Sequence, residues 1–200
     1  RRHTRLQGDW SSDVCSSDLS TPSQILRRSR AYAFTHSSRR LLERLGLWQS
    51  LVPILEPFDR LELDDLGAHQ SSRFGPRDLW RSRSGSSPVG WIGEHRPLME
   101  VLQKTVDAQS SIQTCLGPNS DSQATRAETA EADWVIAADG GHSPTREAEG
   151  IGVWSHAYAQ RCLSAQVRLR GAPPHTAWER LRPEGPFALL PMGEIGRAHV

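Results

Sequence analysis

The stretch that most constrains the fold of this chain occupies residues 133–146 and reads DWVIAADGGHSPTR. Its apolar first half is typical of a buried parallel strand, and the Gly140-Gly141 pair permits a tight turn that a ligand can approach closely. Ser143 is a good helix N-cap, and Pro144 suits the first helical position because it has no N–H group to leave unpaired. The stretch therefore predicts a strand, a turn and a helix N-terminus, the corner where open α/β sheets bind anions such as a pyrophosphate. A well-capped junction that binds no ligand fits the same residues equally well.

The two ends of the chain resemble translated sequencing adapter. Residues 1–19 back-translate onto a common short-read adapter, and residues 194–200 back-translate onto the start of the complementary one. We therefore expect both ends to be non-native and residues 20–193 to be the biological segment, and we exclude the ends from inference about the fold. Sequencing reads from an independent library that still encode both ends would contradict this expectation.

Charge and cysteine content bound the class of protein. The formal net charge is +1, with 24 Lys and Arg against 23 Asp and Glu, so no imbalance suggests a polyanionic partner. The Arg-Ser run at residues 81–88 is very short and carries no aromatic residue, so we expect no nucleic-acid binding. Within the biological segment Cys115 and Cys162 are far apart and form no C-x-x-C pair, which favours a reduced, cytoplasmic protein. No apolar run approaches the length of a membrane span.

Spacing disfavours two kinds of catalytic site. The histidines of residues 20–193 are scattered, with no i,i+4 pair and no cysteine at ligand spacing, so we expect no metal site. Ser143 lies in G-G-H-S-P-T and not in the G-x-S-x-G elbow that exposes a nucleophilic serine, so the pattern favours a helix cap over hydrolysis.

Hydrophobic periodicity predicts two helices. The clearer one lies at residues 36–48, where Ser37 or Ser38 can cap the start and Gly46 fits the position after the end. The second lies at residues 96–106 and has Pro97 near its start. The inner face expected for the first helix consists of Leu41, Leu42 and Leu45.

Short alternating segments predict strands. The stretch at residues 68–88 is rich in Ser, Arg and Gly and predicts a surface loop, and Gly185-Pro186 predicts a turn between two of the strands. Because the strands of residues 163–191 follow one another with short connections, we expect them to form an antiparallel sheet. The predicted strands are residues 61–66, 89–93, 163–169, 178–181 and 187–191.

The pattern Asp139-Gly140-x-x-Ser143-x-x-Arg146 after an apolar strand resembles the D-G motif of class A flavin-dependent aromatic hydroxylases. Other segments resemble the ubiquinone-biosynthesis branch of that family in the same order, so the resemblance covers nearly all of residues 20–193. These segments are Arg30-Ala31, LGLW at residues 45–48, RPL at 96–98, YAQ at 158–160 and GPFALLP at 185–191.

The resemblance implies an α/β fold with an α+β mix. In it, an incomplete Rossmann-type FAD-binding domain is interleaved with an antiparallel-sheet substrate domain. Residues 20–60 and 89–150 would form the partial FAD-binding domain. Residues 61–88 and 151–193 would form the partial substrate domain.

The resemblance also implies cofactor-binding residues, while the catalytic residues stay unknown. Arg30 would approach the FAD pyrophosphate, which suits a guanidinium because its fork matches phosphate oxygens and stays charged. Arg96 would lie near the flavin side of the same cleft, and the D-G motif would serve both FAD and NAD(P)H. The complete set is Arg30, Arg96, Asp139, Gly140, Ser143 and Arg146.

The implied activity is hydroxylation of an aromatic ring with NAD(P)H and dioxygen, for which the flavin supplies the redox chemistry. The substrate would be a small aromatic compound or a polyprenylated phenol on the way to a quinone. Peripheral membrane association stays open, as does the oligomeric state. Two alternatives also stay open: a flavin-dependent reductase of prenyl chains, and a non-catalytic binding module that has lost the cofactor.

Two motifs of the family have no counterpart in residues 20–193. The G-x-G-x-x-G loop would precede Ser20, and the second flavin motif, a Gly-Asp followed by small residues, would follow Gly193. The phosphate loop holds the dinucleotide in such folds. We therefore expect the 200-residue polypeptide neither to bind FAD tightly nor to hydroxylate a substrate.

Overall fold

The chain divides into two compact units in the computed structural model, and each unit is described by itself. The first unit comprises Arg1–Ile25 with Gln109–Cys162, and the second comprises Leu26–Ala108 with Leu163–Val200. The two predicted domains stay a prediction. They comprise residues 20–60 with 89–150 and residues 61–88 with 151–193. The structure describes residues 23, 26, 30–79, 87–112, 114, 132–138, 141–156, 163–192 and 197–199.

Two sheets and three helices make up the described part of the second unit. One sheet has three strands in the order β1-β5-β2, and the other has six in the order β4-β3-β7-β8-β9-β6. In chain order the elements are β1 (Ala31–Phe34), α1 (His36–Arg44), α2 (Trp48–Leu51), β2 (Leu55–Phe58), β3 (Arg60–Asp65), β4 (Gln70–Phe74), β5 (Gly90–Glu94), α3 (His95–Asp107), β6 (Gln166–Arg168), β7 (Thr176–Arg182), β8 (Gly185–Met192) and β9 (Arg197–His199).

The three-stranded sheet is the middle layer of the second unit. Both outer strands pair antiparallel with β5, so that Ile92 lies opposite Ala33 on β1 and Glu56 on β2. Side chains alternate along a strand, which sends Ile92 and Trp91 to opposite faces. Ile92 packs against the six-stranded sheet, and Trp91 packs against the helices. The first core contains Ala31, Phe58, Ile92, Ala177 and Met192, and the second contains Trp48, Leu51, Leu55, Trp91 and Leu98.

Two glycines of β5 allow its neighbours to approach closely. A Cβ atom on Gly90 would lie 2.7 Å from Cζ of Phe58, and one on Gly93 would lie 2.7 Å from Cδ2 of Leu55. Such separations are shorter than the contacts that non-bonded carbon atoms make, so these positions need glycine for packing. The strand predicted at residues 89–93 is confirmed, one residue further along the chain.

The six-stranded sheet is mixed. The predicted strands at residues 61–66, 178–181 and 187–191 are confirmed, and β7 and β8 form an antiparallel hairpin. The expectation of a purely antiparallel substrate sheet is wrong, because β3 pairs with β7 in parallel. Chain connectivity explains this, since the long excursion between β3 and β7 lets the two strands run in the same direction. β9 falls within the stretch expected to be adapter-derived and pairs with β8 and β6.

The prediction of a surface loop at residues 68–88 is wrong for part of that stretch. Residues Gln70–Phe74 form β4, which pairs antiparallel with β3 through backbone hydrogen bonds. All five side chains of β4 are exposed, so this edge strand carries none of the apolar alternation that marks a half-buried strand. The predicted turn at Gly185-Pro186 is also displaced, because both residues already belong to β8.

The helix predicted at residues 36–48 ends earlier than expected and has a different cap. Thr35 is the N-cap, and its side chain accepts a hydrogen bond from the backbone N–H of Ser38. Gly46 follows the C-cap with a φ of 70°, as predicted. The expected leucine face is wrong, because Leu41 is 56% exposed and Leu45 is 61% exposed. Of the three, Leu42 packs against the core, and Arg39, one turn earlier on the same side of the helix, lies over the ring of Trp48.

The second predicted helix is confirmed as α3, which begins at His95. In the first unit, α4 (Pro144–Ala148) is confirmed together with its predicted cap, Ser143, and with proline at its first position. The buried parallel strand predicted at the start of residues 133–146 is wrong. Residues 132–138 form no strand, and Trp134 and Ile136 are 86% and 89% exposed. A strand buried on both faces needs neighbouring strands, and none of the described strands pairs with this stretch.

Candidate functional site

Four of the six predicted cofactor-binding residues are described. Asp139 and Gly140 lie outside the described residues. Arg30 and Arg96 belong to the second unit, whereas Ser143 and Arg146 belong to the first. The structure therefore presents two partial sites, which are described separately.

In the second unit, Arg30 and the start of α3 are joined through their backbones. Arg30 immediately precedes β1, and its carbonyl accepts a hydrogen bond of 2.8 Å from the backbone N–H of His95. His95 is the first residue of α3, and Arg96 is the second. Two arginines predicted from separate parts of the sequence are thus brought together by one backbone hydrogen bond. Arg30 supplies its acceptor, and Arg96 directly follows its donor.

The start of α3 offers an anion a backbone N–H group and the positive end of a helix dipole, next to the carboxylate of Glu94. No acidic residue lies in its first turn, and the side chain of the N-cap residue Glu94 makes no capping hydrogen bond. Within the first turn, the N–H of His95 already donates to the Arg30 carbonyl and Pro97 has no N–H, so the N–H of Arg96 is left for an anion, and the helix dipole makes this end positive. A phosphate group would therefore be bound favourably beside Arg96.

Arg96 is available to such a phosphate at small cost. Its side chain is 71% exposed, and its Nε donates a hydrogen bond of 2.9 Å to Oε1 of Glu100. An exposed i,i+4 ion pair of this kind contributes only about 0.3–0.5 kcal/mol to stability. A doubly charged phosphate can therefore displace Glu100 from the guanidinium.

A buried side-chain pair accompanies these arginines, and sequence reasoning missed it. The hydroxyl of Tyr32 and Nδ1 of His95 share a hydrogen bond of 2.7 Å, and His95 is only 4% exposed. The ring centroids are 5.8 Å apart and the ring planes are tilted by 40°. The sequence signal was present, because Tyr32 is two residues after Arg30 on the same strand face and His95 directly precedes Arg96.

In the first unit, Ser143 and Arg146 are linked through the cap of α4. The Oγ of Ser143 accepts a hydrogen bond of 3.0 Å from the backbone N–H of Arg146, and Ser143 is 5% exposed. The Nη2 of Arg146 donates a hydrogen bond of 3.0 Å to the carbonyl of Gly141. The guanidinium is therefore folded back onto the turn of the predicted motif.

One donor of Arg146 is left for a further acceptor. Its Nε is buried and has no hydrogen-bond partner among the residues that the structure describes. A buried donor without an acceptor is costly, and a phosphate oxygen would remove that cost. The donor set of the described site residues, guanidinium groups and a helix N-terminus, fits the phosphates of a dinucleotide cofactor.

The second unit also contains a cavity of about 160 Å³ on the sheet face that meets Met192. Its lining includes the carboxylates of Glu56 and Glu94 and none of the six predicted residues. Oε1 of Glu56 lies 3.2 Å from Nδ1 of His175, so this carboxylate already has a partner.

The described stretches contain neither a metal-binding cluster nor a membrane-spanning helix. No three His, Cys, Asp or Glu side chains there are grouped as metal ligands. No helix in the same stretches is long and apolar enough to cross a bilayer.

Comparison with known proteins gives one family match and several relatives. The model of the family described as "FAD binding domain" matches residues 96–200, which is more than half of the chain. The chain is 29% identical over 177 residues to 3-demethoxyubiquinol 3-hydroxylase of Escherichia coli, covering 82% of this chain and 43% of that protein. It is 26% identical over 174 residues to ubiquinone hydroxylase UbiL of Rhodospirillum rubrum, covering 82% and 39%. The chain thus spans about two fifths of the length of these relatives.

Solved structures show the same fold. The crystal structure of HpxO from Klebsiella pneumoniae, complexed with FAD and uric acid, matches with a TM-score of 0.53 and 17% identity. The match covers 84% of this chain and 45% of the HpxO chain. At this identity the match speaks for the fold alone.

Proposed function

The chain belongs to the FAD binding domain family, and we propose that it is a segment of a FAD-dependent monooxygenase that hydroxylates an aromatic ring. NAD(P)H and dioxygen would be the co-substrates. The observation that carries the proposal is the family match over residues 96–200, which begins at Arg96, where α3 is hydrogen-bonded to Arg30.

A polyprenylated phenol in quinone biosynthesis is the substrate class that we propose. Two relatives are named as hydroxylases of ubiquinone or of a ubiquinol precursor. The ordered resemblance along residues 20–193 favours the ubiquinone branch within the aromatic hydroxylases.

The proposed residues would bind different parts of the cofactor. Arg30 and the start of α3 would bind the pyrophosphate, and Arg96 would lie near the flavin side of the cleft. Asp139, Gly140, Ser143 and Arg146 would bind the cofactor as members of the D-G motif. When bound, the flavin supplies the redox chemistry, while the chain positions the cofactor and keeps charge next to its phosphates.

The test uses the protein encoded by the uninterrupted reading frame on both sides of Ser20 and Gly193. We expect it to purify with about one flavin per chain and to incorporate an oxygen atom from labelled dioxygen into a phenolic substrate. Flavin-dependent reduction of a prenyl chain without oxygen incorporation would favour the reductase. A protein that binds no flavin would favour the non-catalytic module.

Point variants test the proposed cofactor residues. Arg30→Gln and Arg146→Gln remove charged donors to phosphate, and we expect each to weaken FAD binding about 10-fold or more. Arg73→Gln is the matched control, because Arg73 is a 75% exposed arginine of β4 whose Nε lies 3.7 Å from Glu62. Equal effects of all three changes on the FAD dissociation constant would contradict the assignment.

A further inference from the structure

We propose that Tyr32 and His95 are positioning residues that hold Arg30 and Arg96 in the geometry needed to bind a pyrophosphate group. The inference rests on the proposed function, because it concerns the same anion site. It adds two residues to that site that neither the sequence pattern nor the family motif had indicated.

The hydrogen bond between Tyr32 and His95 is well placed to fix local geometry. It is short, at 2.7 Å, and joins residues 63 positions apart in the chain. His95 is 4% exposed and Tyr32 is partly exposed, so the histidine end of the bond is shielded from competing water. Losing one partner of a buried hydrogen bond costs the desolvation of the other, which makes the pair hard to separate.

The pair connects the two segments that carry the arginines. Arg30 immediately precedes β1 and Tyr32 is its second residue, so the alternation of the strand, continued back by one residue, puts their side chains on the same face. This is the face that the helices cover, where Tyr32 packs beside the core that contains Trp91 and Leu98. The imidazole therefore meets the tyrosine on the side of the sheet where the Arg30 side chain emerges.

The pair also sets the direction of Arg96. Successive residues of an α-helix are about 100° apart around its axis, so holding His95 in one direction fixes the direction of its neighbour. The backbone bond from His95 to the Arg30 carbonyl fixes the distance between the segments, and the side-chain bond fixes the rotation of α3. The directions in which both arginine side chains leave the backbone are thereby fixed before any anion arrives, which reduces the entropy lost on binding.

A packing role alone would predict a different outcome. In that case, disrupting the pair would lower stability and leave anion affinity unchanged in the fraction that is folded. Tyr32→Phe separates the two roles, because it keeps the ring and removes only the hydroxyl. His95→Leu removes the imidazole, whereas His95→Asn keeps a side-chain oxygen close to the position of Nδ1.

The experiment titrates the protein encoded by the uninterrupted reading frame with inorganic pyrophosphate and follows the arginine Nε–H signals by NMR. We expect Arg30 and Arg96 to respond, and Tyr32→Phe and His95→Leu to weaken the affinity about 5- to 10-fold. We expect His95→Asn to retain the affinity within about 2-fold, because it restores the hydrogen bond. Ser71→Ala is the control, since it deletes an exposed hydroxyl that donates to Asp64 on another sheet.

The outcomes separate this inference from the proposed function. An unchanged affinity in Tyr32→Phe, with Arg30 and Arg96 still responding, would overturn the positioning role and leave the cofactor site intact. Failure of both arginines to respond in the unmodified chain would overturn the site and the positioning role together. Thermal melts of each variant establish the folded fraction, so a loss of stability without a loss of affinity counts against the inference.

Discussion

The same substitution, isoleucine to alanine, at a buried and at an exposed position gives the sharpest test of the packing. Ile92 is 2% exposed at the centre of β5, and Ile136 is 89% exposed in the apolar stretch at residues 132–138. The change removes three carbon groups at either position. At about 0.8 kcal/mol for each buried group, the transfer cost at Ile92 is roughly 2.4 kcal/mol.

A cavity adds to that cost at Ile92. The surrounding residues belong to two sheets and relax only in part, so we expect Ile92→Ala to lower the free energy of unfolding by about 3–4 kcal/mol. An exposed isoleucine loses almost no burial, and we expect Ile136→Ala to change the free energy of unfolding by less than about 0.5 kcal/mol. The two variants have the same composition, so unfolded-state effects largely cancel in the comparison.

Urea denaturation monitored by far-UV circular dichroism measures both changes. The slope of the free energy against urea concentration has to remain the same in the variants for the comparison to hold. A loss above about 2 kcal/mol in Ile136→Ala would show that residues 132–138 are buried, as the sequence pattern predicts, and would refute their placement in the structure. A loss below about 1 kcal/mol in Ile92→Ala would refute the assignment of β5 as the middle strand.

Three further predictions concern single side chains. Gly93→Ala places a Cβ atom 2.7 Å from Cδ2 of Leu55, so we expect a loss of about 1–3 kcal/mol in the same denaturation assay, and an unchanged midpoint would contradict the close approach. Ser143→Ala removes the cap of α4, and we expect the amide hydrogen of Arg146 to exchange roughly 5-fold faster; equal exchange would show that the hydroxyl does not cap the helix. Trp134 and Trp154 are 86% and 83% exposed, so we expect Trp134→Phe to lower the fraction of the emission that iodide quenches without abolishing it, and an unchanged fraction would contradict the exposure of Trp134.

Local chemistry sufficed for several elements. The cap of α4 follows from Ser143 and Pro144 alone, because an N-cap oxygen and a missing N–H act within one turn. β3 follows from a short alternating segment, and the β7–β8 hairpin follows from two neighbouring strand segments with a short connection between them. α3 follows from its 3.6-residue period, which placed Leu98 in the core.

Other features depend on partners that a local pattern cannot specify. β4 is held by backbone pairing at a sheet edge, so its polar side chains carry no periodic signal. Residues 132–138 have the composition of a buried strand, yet burial requires neighbouring strands as well as apolar side chains. The bond between Tyr32 and His95 joins positions 63 residues apart, and no local window contains both. Arg30 and Arg96 became site candidates through resemblance, and the fold then tied their segments together.

The exposed stretch at residues 132–138 has a consequence for the handling of the chain. Its window WVIAA combines apolar and β-branched residues with no charge and no proline. Surface windows of this composition readily recruit the same window of a second molecule into a shared sheet. We therefore expect the chain to self-associate through this window as its concentration rises. The stretch that leads into the predicted flavin motif would then also limit the solubility of the chain.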